Sequence, residues 1–300
     1  RTKQILEQFY QKTQGEITRS FLSRMITRLE SEQSVKEYLD IMDHRKTEQL
    51  IDTLDKVEQN RKECYIREFS IEHFHDSKVF ETLIPKICKI FREENEELTG
   101  FENEEILAEY QIYKTPGYVY MKGNVQIYSA GKQAADISAF PEGIAVAVGS
   151  EEDVPDICPD QTIDKVFTIE NLTSFYRFKQ EHSLVIYLGG YHNRSRRNLL
   201  MQIYQKLPDA QYYHFGDLDA GGFYILEHLK RKTGIPFQMF QMDIETLKKY
   251  EDYAKPLTEN DKKRLMQLEK MELPDEERKL ITYMLQKGIK LEQECISESQ

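Results

Sequence analysis

The feature that most limits what this chain can fold into is the alternation of short apolar runs with helical patterns between residues 163 and 245. The runs Lys165–Glu170, Ser183–Leu188, Gln211–Asp219 and Ile235–Met242 have the length and the β-branched or aromatic content of buried strands. Helical patterns lie between them at Leu172–Gln180, Ser195–Lys206 and Phe223–Lys232, the second stopped by Pro208 and the third by Gly234. Strands alternating with helices need crossover connections, so the pattern predicts an α/β fold: a parallel sheet with helices on its faces. Ligands of such sheets gather at the carboxyl ends of the strands. Glu170, Gly189-Gly190 and the run from Gly216 through Gly222 all fall at those ends.

The flanks read differently. Residues 1–60 are helical in pattern, without Pro and with Gly only at Gly15; Ile5, Phe9, Ile17, Phe21, Met25 and Leu29 supply the apolar positions. Tyr65–Ser70 reads as extended. His75-Asp76-Ser77-Lys78 reads as a turn, with Asp76 or Ser77 capping a helix over Val79–Phe91 that carries Pro85. Thr115-Pro116-Gly117, Lys122-Gly123-Asn124, Gly131 and Pro141-Glu142-Gly143 punctuate strand-like runs, which predicts a small β-rich region, either a wing or a meander. Glu151–Asp160, acidic with two prolines, reads as a linker, and the tail from Ile244 is helical and charged. The expected partition is a helical N-terminal arm (1–60), a β-rich middle region (61–155), the parallel sheet (163–245) and a helical C-terminal extension (246–300).

Composition excludes several classes. A net charge of −11 argues against a basic nucleic-acid coat protein, though a local basic patch with a metal can still hold phosphate. Cys64, Cys88, Cys158 and Cys295 have no zinc-type spacing and read as reduced thiols of a cytoplasmic protein. There is no run of about 18 apolar residues, so no membrane span is expected. Arg1-Thr2-Lys3-Gln4 enters helical sequence directly and does not read as a signal peptide; without an initiator Met, the chain is expected to be a piece of a longer one.

The chemistry centres on Glu170, Asp217 and Asp219. The third strand is expected to run to Asp219, and its period of two places Asp217 and Asp219 on one face. Carboxylates gathered at strand ends repel one another unless a hard cation lies among them, so the trio is expected to hold Mg²⁺, with Mn²⁺ as a substitute. The competing reading is helix capping, which suits Asp219 ahead of Ala220-Gly221-Gly222. A haloacid-dehalogenase-type phosphatase would need Thr or Val where Gly221 stands. A sugar-nucleotide transferase would also use Asp-x-Asp, but it does not require the upstream Glu. Arg194, Arg196 and Arg197 open a helix at the same sheet edge, as phosphate contacts or as a solvated helix start. His192 and His214 are either phosphate or acid–base contacts or structural; Glu292 and Glu294 are either a solvated face or reach the metal site.

These residues resemble a known module. A strand-end Glu, a Gly-bearing second strand and Gly-Asp-x-Asp after the third are the marks of the Toprim domain. The stretch from His214 through Leu226 is similar to the JetD C-terminal family, whose members are nuclease components of the bacterial Wadjet anti-plasmid system and are related to the A-type chain of topoisomerase VI. Phe167-Thr168-Ile169-Glu170-Asn171-Leu172-Thr173 supports the likeness, as do Tyr65–Phe69 and His75–Glu81. It runs from about residue 60 to the end, with 100–160 contributing little.

The resemblance implies a Toprim fold preceded by a winged-helix-type DNA-binding region. It also implies a homodimer, metal-dependent cleavage of double-stranded DNA and partnership with an SMC-type motor complex. Glu170, Asp217 and Asp219 match the catalytic and metal positions. Topoisomerase relatives attack DNA with a tyrosine near the winged helix, but Arg67-Glu68-Phe69-Ser70 has none there. Water is therefore the expected nucleophile, with Glu170 as general base or acid. The alternatives are a non-catalytic scaffold that binds DNA or a partner, and another Mg²⁺-dependent nucleotidyl or phosphoryl transferase.

Overall fold

The computed structural model describes residues 1–114, 118–148, 155–189, 192 and 194–296, with Arg194 by its backbone alone. The chain parts into two compact units, Arg1–Pro116 and Gly117–Gln300. This division differs from the expected partition. The N-terminal helices share a unit with residues 61–116, and the β-rich stretch belongs with the sheet.

The first unit is helical. Helices α1 (Thr2–Lys12), α2 (Glu16–Glu30) and α3 (His44–Gln59) break the continuous helical pattern expected there. Glu58 at the end of α3 explains one junction: its carboxylate accepts from Ile17 N (2.8 Å), Thr18 N (2.9 Å) and Thr18 Oγ1 (2.8 Å), satisfying first-turn donors of α2. Strand β1 (Cys64–Tyr65) leads into α4 (Ile66–Phe74), where the sequence predicted an extended segment. The Glu68 carboxylate accepts from Tyr65 N at 2.8 Å and starts that helix. Next come α5 (Val79–Glu94), which carries Pro85, and α6 (Asn103–Glu109). The cap of α5 is Lys78, with no side-chain bond, rather than Asp76 or Ser77. Strand β2 (Ile112–Tyr113) pairs parallel with β1.

The second unit is built on a six-stranded sheet. In chain order its strands and neighbours are β3 (Tyr118–Lys122), β4 (Val125–Ser129), β5 (Lys132–Asp136), β6 (Ile144–Ala147), β7 (Asp156–Pro159), β8 (Lys165–Ile169), β9 (Ser183–Tyr187), β10 (Gln211–Phe215) and β11 (Gln238–Met239). The main sheet has the order β11-β10-β8-β9-β3-β6. Its β8, β9, β10 and β11 are parallel, as the alternation predicted; β3 adds antiparallel to β9, and β6 antiparallel to β3. A separate antiparallel sheet has β4 between β5 and β7. The expected linker therefore contains a strand: Asp156–Pro159 pairs with β4, while 151–154 and the Thr115-Pro116-Gly117 turn lie outside the described residues.

The crossover helices are α7 (Leu172–Arg177), α8 (Arg194–Lys206) and α9 (Ala220–Thr233). The tail supplies α10 (Ile244–Lys249), α11 (Glu259–Leu268) and α12 (Asp275–Lys287), and an antiparallel pair, β12 (Lys255–Pro256) with β13 (Ile289–Lys290).

Both sheet faces are buried, as parallel strands demand. Val166, Leu184, Ile186 and Tyr212 pack on one face with Leu199, Ile203 and Leu226. Phe167, Val185 and Phe215, at the alternate positions of the same strands, pack on the other with Phe175, Phe223, Leu280 and Met284. Each such side chain contributes about 1.5–3 kcal/mol when fully buried. The rigid sheet fixes the register Ile169↔Phe215, which brings the exits of β8 and β10 side by side.

Candidate acidic site at the strand ends

Strand β10 ends at Phe215, four residues short of the expected end. Asp217 and Asp219 therefore lie beyond the strand. They share a side for another reason: Leu218 bridges to Leu291, with Leu218 N donating to Leu291 O at 2.9 Å and Leu291 N to Leu218 O at 3.1 Å. The bridge holds the segment extended, turns Leu218 fully inward and leaves both aspartates half-buried.

Glu170 follows β8, and its main-chain N–H donates to Phe215 O at 3.1 Å. Its Oε2 lies 3.4 Å from Asp217 N. Two glycines make this packing possible. A Cβ on Gly216 would stand 2.5 Å from Glu170 Oε2 and 2.9 Å from His214 Nε2. A Cβ on Gly222 would stand 2.1 Å from Asp217 O, so only glycine lets α9 start so close to the aspartate backbone.

The two aspartates have different attachments. Asp219 caps α9, its Oδ1 accepting from Gly222 N at 2.9 Å; the capping reading thus describes one of the three acids. Asp217 Oδ1 accepts from Gln293 N at 2.6 Å. Burial pushes the Asp217 carboxyl up to about 6; the Gln293 N–H opposes the rise, and the carboxylates of Asp219, Glu292 and Glu294 add to it. The site thus gathers negative charge around a partly desolvated carboxyl.

Gln293 gave no signal in the sequence beyond being a polar residue near the end of the chain. It is fully buried, with Oε1 accepting from Asn171 N at 2.9 Å and Nε2 donating to Phe215 O at 3.0 Å. Its neighbours divide the two readings weighed for them. Glu292 pairs with Lys255 at 2.6 Å, and Glu294 Oε1 accepts from Asn171 Nδ2 at 2.5 Å; both lie near enough to raise Asp217.

The basic cluster separates. Arg196 Nη1 donates to Leu188 O, at the exit of β9. Arg197 is buried and its Nη1 donates to His192 O at 2.7 Å, so it braces the loop from inside. Arg194 opens α8, and its side chain lies outside the described residues, as do Gly190, Tyr191 and Asn193. The histidines are interior. Burial pushes His214 down to about 3, and its Nδ1 meets Thr168 Oγ1 at 2.9 Å. Burial also holds His192 well below its ordinary value, with its Nε2 3.3 Å from His228 Nδ1.

Among the described residues no three His, Cys, Asp or Glu side chains form a ready metal-binding group. The expected trio is thus not a preformed cage. The donor chemistry suits a different arrangement: Mg²⁺ keeps several waters and is commonly held by only one or two carboxylates plus substrate phosphates. Asp217 with Glu170 offers hard oxygens of that number, in a surplus of negative charge.

Fold and site define an α/β protein with a mixed sheet and an acidic centre just beyond the carboxyl ends of its parallel strands. Residues 152–300 match the family model described as "Wadjet protein JetD, C-terminal". The chain is also 28% identical over 263 residues to the Wadjet protein JetD of Bacillus cereus (strain Q1), a match covering 86% of this chain. It spans 63% of the length of that relative. No helix among the described residues is long and apolar enough to cross a membrane.

Proposed function

We propose that this chain carries the cleavage centre of a metal-dependent endonuclease that hydrolyses double-stranded DNA, as the JetD component of a Wadjet anti-plasmid assembly. The observation that carries the reading is that Glu170 and Asp217 follow adjacent strand exits, with Glu170 Oε2 3.4 Å from Asp217 N and seated against Gly216, where a Cβ would stand 2.5 Å from it. Asp217 and Glu170 hold Mg²⁺ or Mn²⁺, and Asp219 stands beside them while fixing the start of α9. The bound cation supplies positive charge to the scissile phosphate and lowers the pKa of a water.

The remaining roles belong to the chain. Glu170 takes or returns a proton at a carboxylate oxygen. Arg196, anchored at the exit of β9, and Arg194 at the start of α8 steady the DNA backbone. The sheet is of Toprim type, and a winged-helix-type element within residues 61–155 binds the duplex. Two copies form the homodimer that reaches both strands, and an SMC-type motor delivers the DNA. No base-reading element is evident among the described residues, and on this reading selection rests on DNA shape or topology.

Two observations favour a second reading, a non-catalytic scaffold: Asp219 is engaged as a helix cap, and no three-ligand group is preformed among the described residues. Incubation of supercoiled plasmid with the purified chain and Mg²⁺ or Mn²⁺ separates the two. Nicked or linear product that disappears in Asp217→Ala and Glu170→Ala supports the nuclease. Product that survives both substitutions places the chemistry elsewhere. A protein that neither binds the cation nor cuts, even with its partner proteins, is the scaffold. Cation-dependent nucleotide binding would mark a nucleotidyl transferase instead.

A further inference from the structure

The segment closing the chain is built into the acidic centre. Leu291 is hydrogen-bonded both ways to Leu218, the residue between the two aspartates. Two residues on, Gln293 uses three groups on three targets. Its main-chain N–H donates to Asp217 Oδ1 at 2.6 Å, its Oε1 accepts from Asn171 N at 2.9 Å, and its Nε2 donates to Phe215 O at 3.0 Å. Asn171 directly follows Glu170, and Phe215 lies two residues before Asp217. One side chain therefore joins the main chains that carry both acids, and its own backbone holds one of those acids directly.

We propose that Gln293 is a positioning residue of this centre, setting the spacing and direction of Glu170 and Asp217; this rests on the reading of those acids as a metal centre. An amide is the group the position demands. The Asn171 N–H needs an acceptor and the Phe215 carbonyl offers a lone pair to a donor; Gln presents one of each at the end of one side chain. Glu in its place would set a carboxylate oxygen against the Phe215 carbonyl. Leu would leave the Asn171 N–H without its partner in a dry interior. Full burial of Gln293 keeps water from replacing the lost bonds. A residue that only supported the fold would affect stability; a positioning residue also affects the affinity of the centre for its cation.

The test compares Mn²⁺ affinity by calorimetry in the full chain with Gln293→Leu, the near-isosteric Gln293→Glu and Asp217→Asn. Amide hydrogen exchange at Asn171 is followed in parallel, with Leu184 in the core strand as reference. The expected result is that Asp217→Asn abolishes binding. Both Gln293 variants should bind at least tenfold more weakly while still unfolding cooperatively. Exchange at Asn171, but not at Leu184, should accelerate at least tenfold in Gln293→Leu, which removes the acceptor of the Asn171 N–H. Wild-type affinity in either Gln293 variant overturns the inference, as does unchanged exchange at Asn171 in Gln293→Leu. If the wild-type chain binds no cation while Asn171 still loses protection, the metal reading has failed and Gln293 is reduced to a strand tie. If exchange accelerates everywhere in Gln293→Leu, the comparison passes to Gln293→Glu, and global acceleration there too overturns a local role.

Discussion

Gly216 lies directly against Glu170: a methyl group on its Cα would stand 2.5 Å from Oε2, closer than any real Cβ contact, and 2.9 Å from His214 Nε2. His214 is fully buried, with its Nδ1 2.9 Å from Thr168 Oγ1. Gly216→Ala should therefore push Glu170 off its position. Overpacking of this kind costs about 1–3 kcal/mol. Urea unfolding should show that loss, and plasmid cleavage should fall at least tenfold. Wild-type cleavage in this variant would mean that Glu170 need not stand where it does.

Asp219 has two roles that substitution can separate. Asn can accept from Gly222 N as Asp does, whereas Ala cannot. Asp219→Ala should lose about 1 kcal/mol of stability, the usual worth of such a cap, and Asp219→Asn much less. Both should lose cleavage, because neither keeps the charge. Equal unfolding midpoints for the two variants would show that the bond to Gly222 contributes nothing.

Much of this arrangement is legible in the sequence, and the misses have physical causes. Strands β8, β9 and β10 begin where the apolar runs begin because both sheet faces are buried. The acids fall at the strand exits because parallel sheets bring their carboxyl ends to one edge. Asp156–Pro159 reads as a linker because its pairing with β4 is a long-range contact that a Pro-containing acidic stretch does not announce. Tyr65–Ser70 reads as extended although α4 covers most of it, because the start of that helix depends on Glu68 reaching back to Tyr65 N. Gln293 is invisible for the same reason as β7: its partners Asn171, Phe215 and Asp217 are distant in sequence, and no periodicity marks it.

Arg197 should behave as a structural residue. It is buried, and its guanidinium donates to the His192 carbonyl. Arg197→Ala leaves that carbonyl without its charged donor, a loss of about 1–3 kcal/mol for a buried polar group. Thermal melting checks the expected fall. If Arg197→Ala melts like the wild type and instead shows a shallower salt dependence of DNA binding, the side chain contacts phosphate after all.

Glu277 sets a pH dependence away from the site. Burial pushes its carboxyl up to about 7 from an ordinary 4.5, although Lys230 pairs with it and pulls the other way. The folded state thus holds this proton more tightly than the unfolded chain. The stability gained from it is fully present below pH 4.5 and is lost as pH rises through 7. Urea midpoints measured from pH 4.5 to 8 should decline more steeply in the wild type than in Glu277→Gln, which cannot titrate. Parallel profiles would show that Glu277 is ionised throughout.

Crystals of the full chain soaked in Mn²⁺ and measured at the manganese absorption edge offer the closest view of the acid pair. An anomalous peak in contact with the carboxylates of Asp217 and Glu170, absent from Asp217→Asn crystals, is the predicted result. Saturating Mn²⁺ with no peak at these two residues, or with peaks only on remote surface carboxylates, would contradict a metal centre at the ends of β8 and β10.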